Sequence, residues 1–186
     1  MVSAALILAV AGVSLQRLAE LRYANRNRER ALQNGAVEYG VKHYPLFFWL
    51  HGCWLAGWLV EGLLSGNLVP YWPVCFVLFL AAQILRYWCI TALGSCWNTR
   101  ILVIPGACRV QNGPYRFLKH PNYLAVAVEL AVLPLAFGAY WTALVATAAN
   151  ALLILGIRLP AERKALVLLD GNLLEDFSLQ MQNKNE

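Results

Sequence analysis

Where a polar loop runs into an apolar segment, the chain reads Gly113-Pro114-Tyr115-Arg116-Phe117-Leu118-Lys119-His120-Pro121-Asn122-Tyr123. Pro121 disfavours helical geometry at His120 and suits a first helical turn, so His120 falls at an N-cap-like position. Free backbone N–H groups at such a helix start, together with its dipole, form a seat for a carboxylate or phosphate. Arg116 and Lys119 add positive charge. The same residues would equally make a turn with a capping His and a belt of interfacial Tyr. A second set, Asn150, Arg158 and Glu162, is spaced by multiples of four and so shares roughly one helical face. Pro160 has no N–H and crowds the carbonyl of Gly156. A break is therefore expected between Gly156 and Pro160, turning Arg158 and Glu162 under a helical bundle. The plainer alternative is a charged helix end paired to itself.

Glu129 stands alone inside an apolar run. An ionisable residue at such depth faces the bundle interior and is a functional candidate; alternatively it makes a helix contact to Gln83, Arg86 or Asn150. His51 reads as a packing histidine, and haem ligation would need a second facing His, whereas His43 and His120 both lie in loops. Five cysteines, Cys53, Cys75, Cys89, Cys96 and Cys108, show no Cys-x-x-Cys spacing and lie mostly in apolar runs, as small packing residues do. Neither a zinc site nor a disulfide framework is expected.

The elements that must position these residues are membrane helices. Of the 186 residues, 60% are apolar and only 13% charged, against about 25% charged in soluble domains; mean hydropathy is +0.53. Crossing the bilayer takes about 20 apolar residues, and five segments qualify: 2–21, 45–64, 68–93, 123–137 and 140–157, the last two as a short hairpin. The connections after the second and fourth carry no Lys or Arg. The segment from Gln16 to Tyr44 holds Arg17, Arg22, Arg26, Arg28, Arg30 and Lys42; Arg100, Arg109, Arg116 and Lys119 follow the third span; Arg158, Arg163, Lys164 and Lys184 follow the fifth. The positive-inside rule then gives five crossings in the cell (inner) membrane, with the N-terminus outside and the C-terminus cytoplasmic. No cation precedes the first span, so it reads as retained rather than as a signal peptide. The net charge of +5 is a topology signal spread over three inner segments, not a nucleic-acid footprint.

The expected architecture is thus one all-α integral membrane domain: three N-terminal spans over 1–92, a loop, hairpin and Arg-x-x-x-Glu element over 93–166, and a cytoplasmic tail over 167–186. Pro105-Gly106 and Asn112-Gly113-Pro114 mark turns in the long loop. Arg17 and Glu20 can pair at i,i+3, Asn34-Gly35 ends the first helix, and Pro45 opens the second. Leu166, Leu169, Leu173 and Phe177 recur at helical spacing in the tail beside Asp170, Glu175 and Asp176, a stripe suited to packing on protein.

On the Gly-Pro-Tyr turn, the Lys119-His120-Pro121-Asn122-Tyr123 motif, the hairpin and Arg158 to Glu162, the segment from Leu93 to Leu166 resembles the isoprenylcysteine carboxyl methyltransferase-like family of integral membrane methyltransferases. The N-terminal half, with Gln16-Arg17-Leu18-Ala19-Glu20, Gly35 to Gly40 and His43-Tyr44-Pro45, looks like its small bacterial branch, linked to O-methylation of alkylresorcinol and alkylpyrone lipids. The resemblance implies an S-adenosylmethionine pocket on the cytoplasmic side, a lipophilic acceptor admitted from the bilayer, cofactor contacts from Tyr115, His120, Pro121, Asn122 and Tyr123, and a closure by Arg158 and Glu162. Glu129, Asn150 and His43 stand as candidate acceptor contacts. Many relatives carry two consecutive Glu at the last element, where this chain has Glu162 and Arg163. Two rivals remain open: an NADPH-dependent membrane reductase of the sterol-reductase type, and a non-catalytic membrane or transport protein built around Glu129.

Overall fold

A computed structural model describes residues 2–104 and 111–167. The Pro105-Gly106 turn and the tail stripe from Leu169 onward lie outside the described residues. Helix α1 (Val2–Gln33) ends at Asn34 and at Gly35, whose φ of 80° is open to glycine. After a short strand β1 (Val37–Tyr39) comes α2 (Tyr44–Ser65), with proline in its first turn. Helix α3 (Trp72–Leu93) starts a turn later than its apolar run. Strand β2 (Ile101–Val103) follows, then α4 (Pro121–Ala136) and α5 (Tyr140–Leu153).

Among the described residues four helices are long and apolar enough to cross a membrane: Val2–Gln33, Val41–Ser65, Trp72–Cys96 and Tyr140–Val167. The fourth expected span, α4, is shorter at 16 residues, about 24 Å at 1.5 Å per residue. It packs along α3 and folds back on α5 through Phe137, Gly138 and Ala139. Gly138 has φ 72°, and a Cβ there would stand 2.3 Å from Ser65 Oγ, so the tight return requires glycine. The first N–H groups of α5 are capped from another helix: Glu61 of α2 accepts from Trp141 N at 2.9 Å and Thr142 N at 2.8 Å. The core between these helices holds Trp54 and Trp58, stacked at 5.6 Å, with Trp54 Nε1 donating to Leu130 O at 3.1 Å.

The expected break in the last helix is not there. Residues Ile154–Arg158 form a π turn, in which Leu159 N–H donates to Ile154 O, and the helix continues to Val167. Widening the turn by one residue relieves the crowding that Pro160 imposes while keeping the axis intact. That extra residue turns everything after it back by about 100° on the helix surface, which keeps Asn150, Arg158 and Glu162 on roughly one face.

Strands β1 and β2 pair antiparallel, Val37 opposite Val103 and Tyr39 opposite Ile101, and tie the α1–α2 connection to the loop after α3. Glu38 fastens the clasp, accepting from Arg28 at 2.7 Å and Arg100 at 2.6 Å. Burial alone would raise its carboxyl, but the Arg100 and Arg28 guanidiniums hold it below the ordinary value of 4.5. A depressed carboxylate contributes stability that is present above its unfolded pKa and is lost as pH falls through the folded value. Thermal unfolding is therefore expected to show Glu38→Gln losing about 1 kcal/mol near neutral pH, with the gap to wild type closing below pH 4.5.

Candidate active site

At the start of α4, Pro121 occupies the first turn and His120 precedes it with no side-chain cap on the helix. The His120 ring lies over Tyr123, 5.3 Å between centroids and 8° from parallel. From the far end of the chain the continued final helix brings Arg158 and Glu162 to the same place. Arg158 Nε donates to Tyr123 Oη and to Glu162 Oε1, both at 3.0 Å. Tyr123 Oη–H donates to Glu162 Oε1, and Glu162 Oε2 lies 3.7 Å from His120 Nδ1. Residues 39 positions apart thus close into one polar cluster at the junction of two apolar helices. Arg158 also stands over the Phe47 ring at 5.9 Å.

Tyr115 sits beside this cluster in the Gly113–Arg116 turn. Burial, reinforced by the neighbouring Cys89, pushes its hydroxyl above the ordinary value, so it remains a neutral donor. Asn122 Oδ1 is buried with no hydrogen-bond partner, an acceptor left for a ligand. His43 lines a narrow cavity with Phe47, Ile157, Arg158 and Ala161, and a wider groove of about 310 Å³ with Gly156, Pro160 and Lys164. Arg163, where the family resemblance leads to the expectation of a second Glu, is exposed.

Two expected acceptor contacts lie elsewhere. Glu129 is 1% exposed and saturated: Arg86 Nε donates to it at 2.8 Å and Arg86 Nη2 at 2.5 Å, Gln83 Nε2 at 2.7 Å, and Arg17 Nη2 completes the set. Glu20 accepts in turn from Arg17 at 2.5 Å and Arg86 at 3.3 Å. Two arginines and two glutamates therefore neutralise one another between α1, α3 and α4, and no oxygen of Glu129 faces the polar cluster. Asn150 is 2% exposed, and no hydrogen bond joins it to Arg158 or Glu162 among the described residues. His51 bonds through Nδ1 to Phe47 O at 2.9 Å and packs edge-on to Trp54, as a packing histidine does. The Arg17 link to Glu129 and the groove at Gly156 were not visible in the local pattern, although Pro160 marked the place of the latter.

Residues 74–168, which include α4 and the Arg158–Glu162 pair, match the isoprenylcysteine carboxyl methyltransferase (ICMT) family. The chain is also similar to the uncharacterized protein YpbQ of Bacillus subtilis (strain 168), 40% identical over 161 residues that cover 86% of this chain and 95% of the relative. No solved structure matches. With half of its length matched, the chain belongs to the isoprenylcysteine carboxyl methyltransferase family of membrane methyltransferases.

Proposed function

We propose that the protein transfers a methyl group from S-adenosylmethionine to an oxygen of a lipophilic acceptor drawn from the bilayer: a phenolic or pyrone lipid, or a lipid-linked carboxylate. The observation that carries this is the closure of His120, Tyr123, Arg158 and Glu162 into one cluster beside a cavity. The residues fit the cofactor. Asn122 Oδ1 is a buried acceptor without a partner, suited to an amino group, and the side-chain-uncapped start of α4 suits a carboxylate. The faces of His120 and Tyr123 suit a cationic sulfur. Bound there, S-adenosylmethionine supplies an electrophilic methyl group for in-line displacement.

The protein's part is to hold the acceptor oxygen in line and make it nucleophilic. A phenol with a pKa near 10 keeps its proton at neutral pH, and Glu162 is the group able to take it. Arg158 never loses its proton and acts instead by stabilising the developing phenolate, or by binding an acceptor that is already a carboxylate. Cation placement supports five crossings, α4 among them, with the pocket on the cytoplasmic side of the cell membrane. Relatedness to the small bacterial branch acting on alkylresorcinols and alkylpyrones is part of the same proposal.

Equilibrium binding to the purified protein tests it. Saturable binding of labelled S-adenosylmethionine is expected. Binding of NADPH in its place would point to a reductase, and binding of neither to a non-catalytic role.

A further inference from the structure

Helix α1 has two opposite faces. Leu6, Val13, Ala24 and Asn27 are buried against the bundle. Leu8, Leu15, Leu18, Arg22, Arg26 and Arg30 are exposed, and at about 100° per residue they fall on one face about 120° wide on the far side. This outward stripe changes from leucine to arginine at a definite depth. Asn27 Nδ2 donates to Gly94 O at 3.2 Å and to Trp97 O at 2.8 Å, which sets Asn27 level with the end of α3. Arg26 is then at that level, with Arg22 about 6 Å nearer the bilayer centre and Arg30 about 6 Å beyond. The three arginines therefore straddle the boundary between hydrocarbon and head groups. Among the described residues none of them has an ion-pair partner, whereas Arg17 and Arg28 of the same helix pair with Glu20, Glu129 and Glu38. Glu29 shares the outward face, so three positive charges there stand against one negative. Arginine at this depth is costly without a counter-charge. Because α1 is the least buried of the four long helices, its outward face is left to lipid.

We propose that this face binds an anionic phospholipid of the leaflet at the cationic end of α1. Arg22 and Arg26 hold its phosphate, Arg30 adds charge at the head group, and the acyl chains run along Leu15 and Leu18, exposed 68% and 51%. A guanidinium presents a planar fork that matches phosphate oxygens, and it gives up water more readily than an ammonium does. Cations beside the bilayer surface attract anionic lipid in preference to zwitterionic lipid. A second copy of the chain fits the face poorly, because a two-fold contact would set arginine against arginine. A soluble anion would satisfy the arginines but leave the leucines beside them uncovered, whereas a diacyl lipid covers both. The bound lipid fastens the helix that supplies Arg17 and Glu20 to the buried cluster with Arg86 and Glu129. The site is independent of methyl transfer.

Native mass spectrometry of the purified protein in neutral detergent, with phosphatidylglycerol and phosphatidylcholine of the same chain length, provides the test. Wild type is expected to hold phosphatidylglycerol at least about tenfold more tightly. Arg22→Gln, Arg26→Gln and Arg30→Gln together are expected to abolish that preference. Arg26→Gln alone is expected to cost about fivefold, the effect of one cation beside an anionic lipid surface. Lys42→Gln, Arg116→Gln and Arg163→Gln together remove three exposed cations elsewhere and are expected to keep the preference. All the substituted side chains are exposed, so unfolding temperatures without added lipid are expected to match wild type. Phosphatidylglycerol is then expected to raise the unfolding temperature by several degrees in wild type and in the Lys42 set, but not in the α1 triple variant. Equal loss of preference in both triple variants would overturn a local site in favour of overall charge, and a preference kept by the α1 triple variant would overturn it outright. Equal stabilisation by inorganic phosphate, or a dimer that requires the three arginines, would give the face to a free anion or to a second copy instead. None of these readouts involves methyl transfer, so a protein that failed to bind S-adenosylmethionine would leave the lipid assignment standing.

Discussion

Glu162→Gln is expected to lower turnover of a phenolic acceptor by about 10²–10⁴-fold, the usual contribution of a positioned general base, while S-adenosylmethionine affinity changes little. Glu162 Oε1 is occupied by the Tyr123 hydroxyl and by Arg158 Nε. Oε2 is 3.7 Å from His120 Nδ1, beyond a normal hydrogen bond, which leaves it free to accept a proton. Glutamine keeps the shape and accepts the same bonds at one oxygen, yet cannot take that proton. Arg158 offers no substitute, because a guanidinium does not act as a base in proteins. Methyl transfer from labelled S-adenosylmethionine under saturating substrate measures the effect. Full turnover by Glu162→Gln on phenols would remove the base role and leave the carboxylate as a clamp on Tyr123 and Arg158.

The largest loss of stability is expected at Glu129. Its removal leaves Arg86, 2% exposed, and Arg17 facing each other with one glutamate between them. Breaking a buried pair in this way costs about 3–5 kcal/mol, and Glu129→Leu is expected to lower the unfolding temperature in detergent by roughly 10 °C. The charge balance makes a sharper expectation. With Arg86→Leu added, Arg17 and Glu20 remain as a neutral pair at 2.5 Å, so the double variant should unfold at a higher temperature than Glu129→Leu alone. A double variant that is less stable than the single would show that the four groups do not act as a neutral unit. Because Glu129 lies on the same helix as Tyr123, the network also fixes the helix that carries Tyr123.

What could be read in the sequence were the local signals. Pro121 after His120 announced the start of α4, Arg158 and Glu162 announced their own pairing at i,i+4, and Arg17 with Glu20 announced theirs at i,i+3. Runs of apolar residues located the starts of all five helices to about a turn, whereas α1 runs on to Gln33 and the last helix to Val167, well past their apolar runs. The meeting of Tyr123 with Glu162 followed from family resemblance rather than from spacing. Other features were beyond local pattern for physical reasons. Strands of three residues are too short to show a period of two, and β1 and β2 are stabilised by a pairing across two helices. Arg17 reaches Glu129 over 112 positions, a contact that only the packing of α1 against the bundle decides. Pro160 signalled a disturbed helix, but a break and a π turn relieve the same clash, and the choice depends on what the helix must keep packing against.

The most direct measurement is equilibrium binding of labelled S-adenosylmethionine to purified wild-type protein beside His120→Ala and Tyr123→Ala. One saturable site in the wild type, weakened at least about tenfold in each variant as expected for a lost aromatic face over a cation, is the expected result. No binding by the wild type, or equal affinity in all three proteins, would contradict a cofactor pocket at the head of α4.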